Sequence, residues 1–205
     1  MADDRAISRR EGERRGGRAG KSRGLLFCGG WWGRVENDGR GDGVETDFRQ
    51  EPVASIGALA LAPSNANIIY VGTGVNTIFA DSSYGDGIYK SLDGGENWQH
   101  LGLGDTRHIG RILVDPHNPD IVLVAAMGHS SGPNEERGVF RSTDGGPSWK
   151  KVLYKDSLTA AVDLCFEPGN PRVVYATLWH GIRKPGQKGT SYGPGRGFTN
   201  QRTKA

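Results

Sequence analysis

Side chains able to do chemistry collect in three stretches of the chain. Asn76–Asp86 holds Asp81 and Asp86; His129–Arg137 holds His129, Glu135, Glu136 and Arg137; His180–Gly195 holds His180 and Arg183. The short link Gly104–Arg107 adds Asp105 and Arg107, with His108 beside it. Hydrolysis of a glycosidic bond needs two carboxylates flanking the bond, about 5–5.5 Å apart for retention or about 6.5–9.5 Å for inversion. Asp105 with Glu135 or Glu136 is the pair on offer. The plainer reading is of solvated loop charges, with Arg107 or Arg137 in structural ion pairs. Asp81, Asp86, Arg107, His108, His129, Arg137, His180 and Arg183 then form a binding face, since binding residues favour loops on a rigid scaffold. His108 adjoins the apolar run Ile109–Val114 and equally reads as a packed histidine. No cluster has metal-ligand spacing and no cofactor signature is present, although calcium can be held by loop oxygens that a sequence does not reveal.

The elements that must position these residues repeat along the chain. Gly87–Trp98 (GIYKSLDGGENW) matches Gly138–Trp149 (GVFRSTDGGPSW) 51 residues later. A second element begins at Pro63, Pro116 and Pro168, at spacings of 53 and 52, and reads Pro-x-Asn followed by β-branched residues. Two independent elements sharing one period define a structural repeat.

Each unit reads as four short strands. An apolar run comes first (Ile56–Leu61, Ile109–Val114, Val162–Phe166), then a Pro-x-Asn turn and a β-branched run such as Ile68–Val71. After a polar insert, Gly87–Ser91 and Gly138–Ser142 give the third strand. An Asp-Gly-Gly turn leads to the fourth, Trp98–Leu101 or Trp149–Leu153. Four strands per period of about fifty is the arithmetic of a β-propeller blade. In S-x-D-G-G-x-x-W the carboxylate is expected to accept amides of its own turn, the glycines to supply positive φ, and the tryptophan to bury its ring on the sheet. Ser91, Asp93, Gly95, Trp98, Ser142, Asp144, Gly146 and Trp149 are therefore read as structural. An aspartate recurring at each hairpin tip is a poor candidate for catalysis.

Ser91–Trp98 and Ser142–Trp149 resemble Asp-boxes, also called bacterial neuraminidase (BNR) repeats. The wider text from Gly85 to Tyr154 is similar to sortilin-like propellers found in bacterial secreted proteins, many of which carry a generic glycosyl-hydrolase name. The resemblance covers about residues 51–196. It implies an all-β fold, a partial β-propeller of about two and a half four-stranded antiparallel blades: about 54–102, 107–154 and an incomplete 159–196, with disordered N- and C-terminal tails. It does not fix an activity, because Asp-box propellers include sialidases, xyloglucanases, sorting receptors and photosystem-assembly factors. A protein- or glycan-binding scaffold, probed on the long-loop face and completed by further blades, is the first expectation; a secreted glycoside hydrolase is the alternative. A sialidase would offer three arginines to a carboxylate. Arg107, Arg137 and Arg183 are available, but none has a sialidase-like Arg-Ile-Pro context, and no xyloglucanase aspartate motif is evident.

The two ends read differently. Counting one period back from Ser91 reaches Arg40, where no such turn is visible, and a third turn, expected near Gly195–Gln201, is missing. Residues 1–50 are expected to be a basic, glycine-rich segment, disordered or scrambled by a reading-frame error, and 197–205 a tail. Residues 1–24 carry eight basic and four acidic side chains, a net of +4 against +3 for the whole chain, so the remainder is −1. The folded part thus lacks the electrostatic footprint of a nucleic-acid binder. Glycine and proline make up 43 of 205 residues, which favours tight turns over long helices, and no apolar run reaches the roughly 18 residues of a membrane span. Cys28 and Cys165 are too few for a disulfide scaffold. Ser8-Arg9-Arg10 lacks the apolar core of an export signal, although the family's usual home is outside the cytoplasm. Gly20-Lys21-Ser22 lacks the glycine and strand of a phosphate loop, and Arg40-Gly41-Asp42 is a three-residue match of no weight.

Overall fold

The computed structural model describes residues 51–53, 55–76 and 83–181, and the backbone of 198–204. Among these residues there is no α-helix. The described residues form eleven strands: β1 (Ile56–Ala62), β2 (Asn65–Thr73), β3 (Ile88–Ser91), β4 (Gln99–His100), β5 (Ile109–Val114), β6 (Val122–Ala126), β7 (Gly138–Ser142), β8 (Lys150–Leu153), β9 (Thr159–Glu167), β10 (Asn170–His180) and β11 (Phe198–Lys204). They group into antiparallel sheets β1-β2-β3-β4, β5-β6-β7-β8 and β9-β10-β11. These are blades 1, 2 and 3 of a partial β-propeller, and β1 to β10 lie where the sequence signals put them.

The first strand of each blade is innermost, with β1 packed on β5 and β5 on β9. Each of these strands carries a bulge at the same place: the pairing slips at Gly57, at Gly110 and at Val162. The glycines are dictated by what lies opposite. A Cβ on Gly57 would run into the Ile109 carbonyl, and one on Gly110 into the Val162 carbonyl. Lacking side chains, these positions let adjacent inner strands touch backbone to backbone.

The seams between blades hold the core. Ala58, Tyr70, Ile88 and Leu101 of blade 1 close on Ile109, Ile112, Val124 and Phe140 of blade 2. Leu123, Ala125 and Val139 of blade 2 close on Ala161, Leu164, Val174 and Leu178 of blade 3. Burying one such side chain stabilises by roughly 1.5–3 kcal/mol, so the seams supply most of the driving force.

Two expectations change. Strand β11 occupies most of the segment expected to be a tail, pairing with β10 from Val173↔Lys204 to Trp179↔Phe198. Cys165, in an apolar run, is exposed rather than buried, because its neighbours Leu164 and Phe166 pack toward blade 2 and alternation along β9 sends Cys165 to the other side. The expectations for residues 1–50 lie outside the described residues.

Candidate functional site

The two ends of the blades have different chemistry. At one end the S-x-D-G-G-x-x-W turns meet the turns between first and second strands: the Gly94 amide donates to the Asn67 carbonyl and the Gly145 amide to that of Asp120, each at 2.9 Å. Asp93 Oδ1 accepts from the Ser91 hydroxyl (2.7 Å) and the Asn97 amide (2.9 Å), and Oδ2 from the Asn97 side chain (2.7 Å). Asp144 repeats this with the Ser142 hydroxyl (2.7 Å), the Ser148 amide (3.1 Å) and the Ser148 hydroxyl (2.6 Å). Ser91 and Ser142 in turn accept the amides of Gly95 and Gly146. The Asn97 amide chiefly for Asp93, and the Ser148 hydroxyl chiefly for Asp144, hold both carboxyls well below the ordinary carboxylate range. They are occupied as caps.

Trp98 packs on its own sheet against Val71 and Tyr89, as expected, but Trp149 departs from expectation. Trp98 and Trp149 are half-buried, and the Trp149 indole reaches across the seam, donating to the Leu101 carbonyl of blade 1 at 2.9 Å. The tight turn carries the ring past its own sheet, so it locks blade to blade.

The inserts lie at the opposite end. Asp81 and Arg183 fall outside the described residues. Arg137 is fully buried and donates through Nη1 to the carbonyls of Leu158 (2.9 Å) and Gly181 (3.0 Å), and through Nη2 to those of His129 (3.0 Å) and Gly132 (3.5 Å). It is therefore not a binding residue in contact with solvent, as the sequence suggested, but a pin joining the loops of blades 2 and 3. Burial lowers its pKa to about 10, with the Asp156 carboxylate opposing, so it stays cationic.

His108 is likewise excluded from a direct binding role. It is 1% exposed, with the Tyr84 ring 5.2 Å away, and neither ring nitrogen makes a hydrogen bond of good geometry. Burial lowers its pKa to about 4, the Val75 carbonyl offsetting part of this and the charges of Arg137 and His129 adding to it.

Asp86 also serves the frame. Its amide donates to the Thr73 hydroxyl (2.9 Å), its Oδ2 accepts from the Tyr89 hydroxyl (2.7 Å), and its carbonyl lies 2.8 Å from Nε2 of His100. His180 is the last residue of β10 rather than part of a loop. Its Nδ1 lies 2.9 Å from the Thr159 hydroxyl, which donates to Asp156 Oδ1 at 2.7 Å, so Nδ1 carries the hydrogen of that contact. Burial opposes ionisation of Asp156, but the Thr159 hydroxyl, the Leu158 amide and His180 together hold its pKa below the ordinary value.

The candidate carboxylates sit on different elements. Asp105 is 85% exposed and 3.8 Å from Arg107 in the link over blade 1. The Glu135 carbonyl accepts from Lys151 of β8, which places Glu135 at the outer strand of blade 2.

Neither a protein-family model nor a curated protein matches the chain. Among solved structures it is similar to an ancestral GH74 enzyme, with a TM-score of 0.52 and 24% identity over 73% of this chain and 19% of that one. A GH74 enzyme from Niastella koreensis (TM-score 0.45, 18% identity, 69% of this chain and 20% of that) and a GH74 xyloglucanase from Xanthomonas campestris (0.44, 15%, 71% and 21%) are also similar. The likeness is one of fold. The chain spans about one fifth of the length of each of these enzymes.

What remains accessible on the insert face is Tyr84, Asp105, Arg107, His129, Glu135 and Glu136, exposed or half-exposed on pinned loops. Sequence reading missed Thr73, Asp156 and Thr159. Asp156-x-x-Thr159 carries a local signal, an aspartate placed to accept the hydroxyl and amides just after it; Thr73 carries none. No group of three or more His, Cys, Asp or Glu among the described residues is arranged to hold a metal ion, and no helix there is long and apolar enough to cross a membrane.

Proposed function

We propose that the chain is a segment of a sortilin-like Asp-box propeller that presents its insert face to a protein or glycan ligand, further blades completing the ring. The chain itself is not catalytic. The observation that carries this reading is the Arg137 pin. Four carbonyls from two blades converge on one buried guanidinium, so the insert of blade 2 is tied to Leu158 and Gly181 of blade 3 before any ligand arrives. Preorganisation of this kind cuts the ordering cost of binding. Tyr84, Arg107 and His129 on that face offer a ring and hydrogen-bonding groups, the mixture that suits sugar hydroxyls or a polar peptide. The parent protein is placed outside the cytoplasm, where propellers of this family work.

A second reading, a piece of a secreted sialidase- or xyloglucanase-like glycoside hydrolase acting on polysaccharide, is favoured by the similarity of fold to an ancestral GH74 enzyme. Against it stands the setting of Asp105, an exposed carboxylate beside Arg107. The two readings part on a glycan panel presented to the chain, to Asp105→Asn and to Glu135→Gln. Retention without cleavage, weakened by Tyr84→Ala or His129→Ala, is expected. Cleavage lost in either carboxylate variant overturns the binding reading in favour of the hydrolase.

A further inference from the structure

The seam between blades 1 and 2 is built from a small set of positions. Tyr70 on β2 and Lys90 on β3 stand opposite one another and reach across together. The Tyr70 hydroxyl donates to the carbonyls of Pro119 (3.0 Å) and Gly145 (3.3 Å), and the Lys90 ammonium donates to that of Gly145 (3.0 Å). In return the Trp149 indole donates to Leu101, three residues past Trp98. The S-x-D-G-G-x-x-W turn of one blade is thus held by the blade before it.

Blade 2 carries the same positions on its other side. Leu123 and Arg141 are cross-strand partners at the register of Tyr70 and Lys90, and Val152 lies three residues past Trp149. Leu123 and Val152 pack into the core shared with blade 3. Arg141 occupies the place of Lys90, yet its Nε is buried with no hydrogen-bond partner among the described residues. Blade 3 supplies β9, β10 and β11, and its described sheet ends on β11, whereas blades 1 and 2 each have a fourth strand. Both S-x-D-G-G-x-x-W turns in the chain are already seated in blades 1 and 2. A second copy of the chain therefore has none to lend.

We propose that Arg141, the Val152 carbonyl and the free edge of β11 form an acceptor for a third turn-and-strand unit of this repeat, one from outside the described residues. Its strand pairs along β11 as an added edge strand, its turn carbonyl receives the Arg141 guanidinium, and its indole donates to Val152. The inference rests on the repetition of the seams and is independent of any ligand on the insert face.

The probe is a labelled peptide spanning Ser142–Leu153, a unit with the required turn, tryptophan and strand. Titrated onto the full chain, it is expected to bind saturably and to slow amide exchange across 198–204. Losing one buried charge-assisted hydrogen bond corresponds to about tenfold in affinity, expected for Arg141→Ala, and a peptide carrying Trp149→Ala should lose at least as much, since it forfeits the indole bond and the buried ring together. Arg141→Lys keeps most of the affinity, since lysine does this work in the first seam, and it remains informative should Arg141→Ala fail to fold. Absence of binding overturns the proposal. So does binding indifferent to both Arg141→Ala and the peptide change, affinity lost in Arg141→Lys as fully as in Arg141→Ala, or self-association of the chain through β11 that the peptide does not displace.

Discussion

His108 makes the stability of this fold depend on pH in a defined window. Its imidazole is sealed under Tyr84 at the start of β5, and the ionisable groups acting on it, Arg137 and His129, are both basic. Protonation would place a second cation in a space that already holds one. The ring titrates at 6.5 in the unfolded chain and at about 4 when folded. The unfolded state therefore takes up the proton first. Stability is full above pH 6.5, falls as pH drops through the window, and levels off below about 4. A gap of about 2.5 pH units at 1.36 kcal/mol each gives roughly 3 kcal/mol lost by pH 4, about 2 of it by pH 5. That is a large share of a margin of about 5–15 kcal/mol. The check is urea unfolding of the parent chain and of His108→Gln at half-unit steps from pH 7.5 to 4. The variant has no proton to take up at this position, so the difference between the two curves should open by about 3 kcal/mol across the window, whatever the variant's absolute stability. The carboxylates held below their ordinary range act in the same sense, mainly below pH 4, and they cancel in the difference. Parallel curves would refute the reasoning, and with it the idea that this ring is neutral because it is buried beside cations.

Four further outcomes follow from the geometry. Trp149→Phe keeps most of the ring but strands the Leu101 carbonyl, and should cost about 1–2 kcal/mol by urea midpoint, with the loss traced to the seam by faster exchange in β4. Arg137→Lys retains a charge but cannot span four carbonyls, so about 3 kcal/mol should be lost and exchange should rise together at Gly132, Leu158 and Gly181; loss confined to one loop would show that no common pin exists. Gly110→Ala drives a methyl into the Val162 carbonyl and should cost about 1–3 kcal/mol, whereas Gly132→Ala, whose side chain would meet open space, reports only the backbone cost of positive φ. Asp144→Ala should release the Ser148 amide to fast exchange and loosen the β7–β8 turn, an effect present at neutral pH and absent once acid has protonated the carboxylate.

The strands and turns were legible because they rest on local chemistry. Paired glycines, Pro-x-Asn and β-branched runs each act within a few residues, and Ile56, Ile109 and Gly138 all begin or end strands where those signals put them. Counting failed at the third unit. The inserts between second and third strands are 14, 11 and 17 residues long, so a fixed period looked for the third turn near Gly195–Gln201. Register corrects this: Arg202 faces Tyr175 as Lys90 faces Tyr70, which puts Thr203 in the place of Ser142. Site residues were harder to read, since a buried arginine and an exposed one are the same letter. Nothing near Arg137 in the sequence announces Leu158 and Gly181, 21 and 44 residues away.

The position just before the glycine that opens the third strand shows how one frame can carry different faces. In blade 1 it is Asp86, in blade 2 Arg137, ahead of Gly87 and Gly138. Asp86 gathers groups from its own blade, taking the Tyr89 hydroxyl and anchoring through Thr73. Arg137 looks outward and ties blade 2 to blade 3. The glycines after them are fixed by the close approach of the fourth strand, Gly102 in one blade and Leu153 in the other, so they cannot vary without breaking the sheet. The preceding residue is under no such constraint, and it differs between the blades in charge and in what it ties together. A swap of Arg137→Asp would therefore be expected to leave the turn end intact while freeing the insert face, and the two ends of the molecule can be perturbed separately.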